Sequence, residues 1–79
     1  MKKFKLGKNF VLRENDCALF DTTQFNILQY NYNGYLLISY LIQEKELSFS
    51  DLNTYAINRK MIQNDFEIFF KNNLEYGVI

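Results

Sequence analysis

The sequence has no histidine, a single cysteine and three isolated glycines. Without histidine, neither Cys–His nor Ser–His nucleophilic pairs can form within the chain, and one cysteine supplies no metal-ligand pair and no internal disulfide. Gly7, Gly34 and Gly77 stand apart from one another, so there is no glycine-rich loop to cradle a phosphate. The carboxylates Glu44 with Glu46 and Asp65 with Glu67 sit among polar neighbours, where solvated surface is the better reading than paired acid–base work. No enzyme activity, cofactor or metal is expected. Long apolar runs are missing too: the stretch from Tyr35 to Ile42 is interrupted by Ser39 and falls well short of the roughly 20 residues of a membrane-spanning helix. The basic start, Met1 to Lys8, is not followed by the apolar stretch of a secretory signal, so no export is expected and a reducing, cytoplasmic setting is.

What the chain does have is bulk. Of its 79 residues 48% are apolar and 18% aromatic, with eight Phe and six Tyr, enough for one core and too few for two. Cys17, in an apolar run, reads as a small buried hydrophobe. Nine basic and nine acidic residues balance overall, but five of the nine basic ones and only three of the nine acidic ones fall in residues 1–40. Lys2, Lys3, Lys5 and Lys8 form a basic arm over residues 1–9 that either steers an acidic partner or does nothing specific.

Three short strands are expected over 10–14, 17–21 and 24–30, separated by Asn15-Asp16 and Asp21-Thr22-Thr23, whose side chains favour tight turns. From Asn33, a plausible cap, the spacing of Leu37, Ile38 and Leu41 turns helical to about Gln43. Ser48 with Asp51 three residues on has the form of a capping box and opens a second helix with Leu52, Tyr55 and Ala56 on one face. After Asn58-Arg59-Lys60 a third helix carries Ile62, Phe66, Phe69, Phe70 and Leu74 as one stripe, ends at Gly77, and lets Val78-Ile79 fold back onto the core. The fold class is α+β, a three-stranded antiparallel sheet followed by three helices, in one domain over residues 1–79.

A helix–turn–helix flanked by a sheet raises DNA binding. From Ile62 to Tyr76, however, the candidate recognition helix carries Asp65, Glu67 and Glu75 against Lys71 alone, a poor match for phosphate. Arg59 and Lys60, which could touch a DNA backbone, keep a winged-helix DNA-binding protein as the alternative; otherwise they are a solvated turn.

Phe20-Asp21 in the second strand, then a third strand running into Tyr30-Asn31-Tyr32-Asn33-Gly34-Tyr35, is similar to the pattern of PqqD-like proteins, in which an apolar residue, Asn, a variable residue, a small polar residue and Gly lead into the first helix. Leu37, Ile38 and Leu41 occupy the apolar helix positions of that family, Phe49 and Leu52 resemble its second-helix start, and Asp65-Phe66, Phe69-Phe70 and Gly77-Val78-Ile79 resemble its last helix and apolar end. The likeness spans about residues 10–79. Two positions depart from it: Tyr30 stands where an aliphatic residue is usual, and Asn73 where an apolar one is. The resemblance implies a winged-helix-like fold and a recognition element for the leader of ribosomally made, post-translationally modified peptides. The leader of a precursor peptide would add as a strand beside the third strand and pack on the third helix, while a separate modifying enzyme does the chemistry.

The residues are compatible with that role. An exposed strand edge binds through unpaired N–H and C=O groups, and pockets for alternate side chains select the peptide. Along Gln24, Phe25, Asn26, Ile27, Leu28, Gln29 and Tyr30 both faces carry bulky apolar groups, half for the core and half for a ligand or a covering helix. Phe66, Phe69, Phe70 and Asn73 complete the candidate peptide site; Asn73 either bonds the peptide or makes a local bond of its own. The first helix, apolar on nearly all sides through Tyr35, Leu36 and Tyr40, either sits centrally or docks the enzyme, with homodimerisation as the competing use. A small structural subunit using the same edge constitutively is the third reading.

Overall fold

In the computed structural model, which describes residues 2–79, the chain orders as β1 (Lys3–Phe4), β2 (Phe10–Arg13), β3 (Ala18–Asp21), β4 (Asn26–Gln29), α1 (Tyr32–Glu44), β5 (Leu47–Ser48), α2 (Phe49–Asn58) and α3 (Gln63–Tyr76). The expected α+β arrangement is present: β2-β3-β4 form an antiparallel sheet, followed by three helices. Met1 lies outside the described residues.

The alternation of side chains fixes which sheet face is covered. Phe10 pairs with Asp21, and Leu19 pairs with Leu12 on one side and Leu28 on the other, so this face turns inward. Phe10, Leu19, Ile38 and Val78 are buried together there. A second cluster, Leu37, Leu41, Leu47, Leu52, Ala56 and Phe66, lies among the helices, and Phe69 and Ile79 pack against both. Because α1 supplies Ile38 to one cluster and Leu37 and Leu41 to the other, it sits centrally. Tyr40 stacks on Tyr55 with ring centroids 4.1 Å apart, which leaves Tyr32 and Ile42 as the exposed large apolar residues of α1.

Local chemistry accounts for the helix ends. Ser48 and Asp51 form the expected capping box: Ser48 Oγ accepts from Asp51 N at 3.1 Å and Asp51 Oδ2 from Ser48 N at 3.2 Å. The Ser48 backbone N–H and the Ser48 hydroxyl hold the Asp51 carboxyl below its ordinary pKa against the desolvation that opposes them, with Lys3 nearby adding to the effect. Gly77, at φ 93°, ends α3 in the left-handed conformation, its N–H donating to Asn73 O, and Val78 folds inward as expected.

Several expectations need correction. Asn31, not Asn33, caps α1: its Oδ1 accepts from Gly34 N at 2.8 Å, so the helix starts earlier than the apolar spacing suggests. A Cβ at Gly34 would lie 3.0 Å from the Tyr30 ring, which would have to give way by a few tenths of an ångström to admit it. Cys17 is only partly buried; at φ 52° it closes a 3-10 turn, Glu14–Asp16, that reverses the chain between β2 and β3. The third strand is shorter than 24–30, because Asp21 Oδ1 accepts from Thr23 N and Gln24 N and Phe25 turns to φ 58°, holding Gln24 and Phe25 in the turn. In α3 the buried stripe excludes Ile62, which precedes the helix and is 67% exposed, and Leu74, while Asn73, in the middle of the Phe66–Phe69–Phe70 stripe as the sequence places it, is buried. The basic arm is structured. Lys3 and Phe4 pair antiparallel with Ser48 and Leu47, Phe4 meets Phe70 edge-on at 5.0 Å, and Gly7 N donates to Val78 O at 2.7 Å.

Removing the cap should register as a stability loss. Ser48→Ala is expected to cost about 1 kcal/mol, seen as a lower urea midpoint at unchanged slope, whereas the exposed Ser50→Ala changes stability by less than about 0.5 kcal/mol.

Candidate functional site: a groove between a free strand edge and the last helix

Strand β4 is an edge of its sheet. Its hydrogen-bonding parity follows from the register. Leu19 faces Leu28, Asp21 faces Asn26, and just beyond the strand Tyr30 N donates to Cys17 O at 3.0 Å. Bonded and non-bonded pairs alternate in an antiparallel ladder, so Asn26, Leu28 and Tyr30 turn their backbone groups toward β3 while Ile27 and Gln29 turn theirs outward. Among the described residues, no backbone bond outside the sheet ladder reaches Ile27 or Gln29.

Beside this edge runs α3, and the space between them is a groove of about 520 Å³. Leu28, Tyr30, Leu37, Phe66 and Phe69 form its apolar floor, Ile27 and Gln29 its strand rim, and Ile68, Asn72 and Tyr76 its helix rim. Asn31, Asn33, Gly34, Met61 and Asp65 close one end. At the other, Tyr76 accepts from Asn26 Nδ2 at 3.4 Å and donates to Asp21 Oδ2 at 3.3 Å. Strand and helix therefore run in opposite directions along the groove.

Two polar contacts hold these walls. The Tyr30 hydroxyl donates to Asn73 Oδ1, and Asn73 Nδ2 donates to Phe69 O at 2.7 Å. Asn73, only 6% exposed, thus makes a local backbone bond and a bond to the strand, and reaches the groove with its amide already engaged. Burial, with Tyr76 adding a smaller effect, pushes the Tyr30 phenol up to about 12. At the far corner the Asp21 carboxylate is removed from solvent, which opposes ionisation, yet bonds from Asn9, Thr23, Gln24 and Tyr76 together hold its pKa below the ordinary value.

Of the residues expected at a peptide site, Ile27, Leu28, Gln29, Tyr30, Phe66, Phe69 and Asn73 line the groove. Gln24, Phe25 and Asn26 do not: the first two lie in the turn, Phe25 being 78% exposed over Phe20, and Asn26 is tied to Tyr76. Phe70 points away, packing on Phe4 and Phe49. On α3, sequence reasoning missed Asp65, Ile68, Asn72 and Tyr76, and beyond it the lining residues at the start of α1 together with Leu37 and Met61. Helical spacing from Phe69 links the α3 positions, but attention to the Phe stripe favoured the neighbouring inward face.

Among the described residues no group of three or more His, Cys, Asp or Glu is placed to hold a metal ion. Nor, among them, is any helix long and apolar enough to cross a membrane. Comparison with models of protein families, with curated proteins and with solved structures gave no significant match.

The polar corner predicts two pH dependences of opposite sign. Because the folded Tyr30 pKa lies above the ordinary value of about 10, its contribution is complete below pH 10 and is lost as pH rises toward about 12. Asp21, lowered on folding, contributes above about pH 4 and loses that contribution as acid protonates it. Tyr30→Phe should remove the alkaline loss and cost about 1–3 kcal/mol near neutral pH by leaving Asn73 Oδ1 without its donor, measured by urea unfolding across pH.

Proposed function

We propose that this chain is a non-catalytic, PqqD-like recognition module. It binds the leader segment of a ribosomally synthesised precursor peptide as an added strand on β4, and presents it to a separate modifying enzyme in peptide natural-product biosynthesis. The observation that carries this reading is the groove itself: an uncharged free edge with outward backbone groups at Ile27 and Gln29, next to an apolar floor and a helix wall. An extended strand bonded to those two residues would place its intervening side chain opposite Leu28, over the floor. The module works in the cytoplasm, where precursors are made.

DNA binding is less well served. Arg59 and Lys60 are exposed at the α2–α3 turn, but Arg59 lies over the Tyr55 ring at 4.5 Å, and the charged residues of α3 are Asp65, Glu67, Lys71 and Glu75.

Titration of the labelled protein with the leader of a precursor encoded beside it, and in parallel with duplex DNA, separates the two. Saturable, salt-tolerant binding of the leader is expected; DNA binding alone, falling steeply with salt, would overturn the proposal. The ladder parity sharpens the mutational test. Ile27→Pro and Gln29→Pro each delete an outward donor, and should leave the fold intact while weakening leader binding about tenfold. Leu28→Pro deletes a bond to β3 and should reduce stability instead. Unchanged leader affinity in both edge variants would rule out strand addition.

A further inference from the structure

The sequence suggests that the basic arm steers an acidic peptide, yet the charges are not where that needs them. Lys2, Lys3, Lys5 and Lys8 line a separate hollow of about 370 Å³ with Phe4 and Leu74, and none of them lines the groove. Pairing of β1 with β5 and the Gly7–Val78 bond hold the arm there. Among the described residues no basic side chain lines the groove, and Asp65 is the one charged residue that does. The other polar groups around it are amides and phenols, which carry no charge at neutral pH. Asp65 is exposed, and the ion pair found among the described residues is Arg13 with Asp16, at the β2–β3 turn that borders the same end of β4, where Gln29 Nε2 donates to Asp16 O. The groove lining is thus uncharged along its length except for Asp65, at the end where Asn31, Asn33 and Met61 lie, with the exposed Arg59 and Lys60 just before Met61 in the α2–α3 turn.

Its length can be set against a peptide. From Asp65 to Tyr76 α3 advances about 16 Å at about 1.5 Å per residue, which matches about five residues of extended chain at about 3.3 Å each. Residues of an added strand opposite Leu28 and Tyr30 face Ile68, Phe69 and Phe66, surfaces that favour apolar side chains; residues opposite Ile27 and Gln29 lie on the outer sheet face.

Resting on the strand-addition reading, we infer that the groove selects a segment of about five residues with apolar side chains at alternate positions and a Lys or Arg at its Asp65 end, and that it disfavours acidic segments. Asp65 is a specificity-determining residue here. Its carboxylate attracts the cationic end and repels an anionic one, an effect that salt screens because the residue is exposed. The lysine hollow on the other side of α3 takes no part in this selection.

The test is selection of a displayed library of random dodecapeptides on the intact protein, with Ile27→Pro as a counter-selection to retain edge-dependent binders. The consensus should show alternating apolar residues flanked on one side by Lys or Arg. Individual winners and their Lys→Glu counterparts are then compared by fluorescence anisotropy. The Lys form should bind about five- to tenfold more tightly at low salt. Asp65→Asn should erase that preference and Asp65→Lys should reverse it, while Lys5→Glu on the arm leaves it unchanged. Edge-dependent winners without a basic flank, or a preference that survives Asp65→Asn, would overturn the charge inference and leave strand addition standing. Failure to enrich any edge-dependent binder would overturn both.

Discussion

One buried amide holds the groove open. Asn73 sits where an apolar residue would pack α3 directly onto the sheet, and its Oδ1 instead receives the Tyr30 hydroxyl from the end of β4 while its Nδ2 bonds Phe69 O. Its main-chain oxygen also receives Gly77 N and Val78 N, so the same residue fixes the helix end and the return of Val78 into the core. A buried, satisfied polar pair of this kind fixes a spacing between elements more sharply than interchangeable aliphatic contacts do. Here the spacing is that between a strand edge and a helix, and everything proposed for the chain depends on it.

The two edges of the main sheet are treated differently. At β2, Phe10 N donates back to Gly7 O, and Arg13 pairs with Asp16 at the strand end, so that edge is partly occupied and charged. At β4 neither device is present: the segment from Gln24 to Tyr30 carries no charge, and Ile27 is 54% exposed beside outward backbone groups. Edge strands of natural proteins are usually blunted by charge, proline or a covering element. An edge left bare beside an apolar groove is most simply understood as one kept for a partner strand.

Much of this was legible in the sequence because short-range chemistry dictated it. The Ser48–Asp51 box, the Gly77 cap and the period-two alternation through β2, β3 and β4 depend on residues a few positions apart, and each was visible. What was not legible depended on contacts distant in sequence. The pairing of Lys3 and Phe4 with Ser48 and Leu47 turned an apparent basic tail into a strand. Asn73 was legible as an amide in the middle of the Phe66–Phe69–Phe70 stripe, but its partner, Tyr30, lies 43 residues away, and Leu74, expected on the stripe, is exposed. The inward turn of Asn73 placed Phe70 on the far side of α3 and brought Ile68, Asn72 and Tyr76 to the groove. Cys17 and Phe25 adopt left-handed backbone that their side chains do not announce, which shortened two strands.

The central claim is that a peptide pairs with β4 through Ile27 and Gln29. Amide hydrogen exchange, read residue by residue with and without a saturating leader peptide, tests it most directly. Strand addition predicts that the Ile27 and Gln29 amides, exchanging freely in the isolated protein, become protected on binding, while Leu28, already bonded to β3, changes little. Protection confined to the turn around Arg59 and Lys60, or no change at Ile27 and Gln29 under saturation, would contradict it.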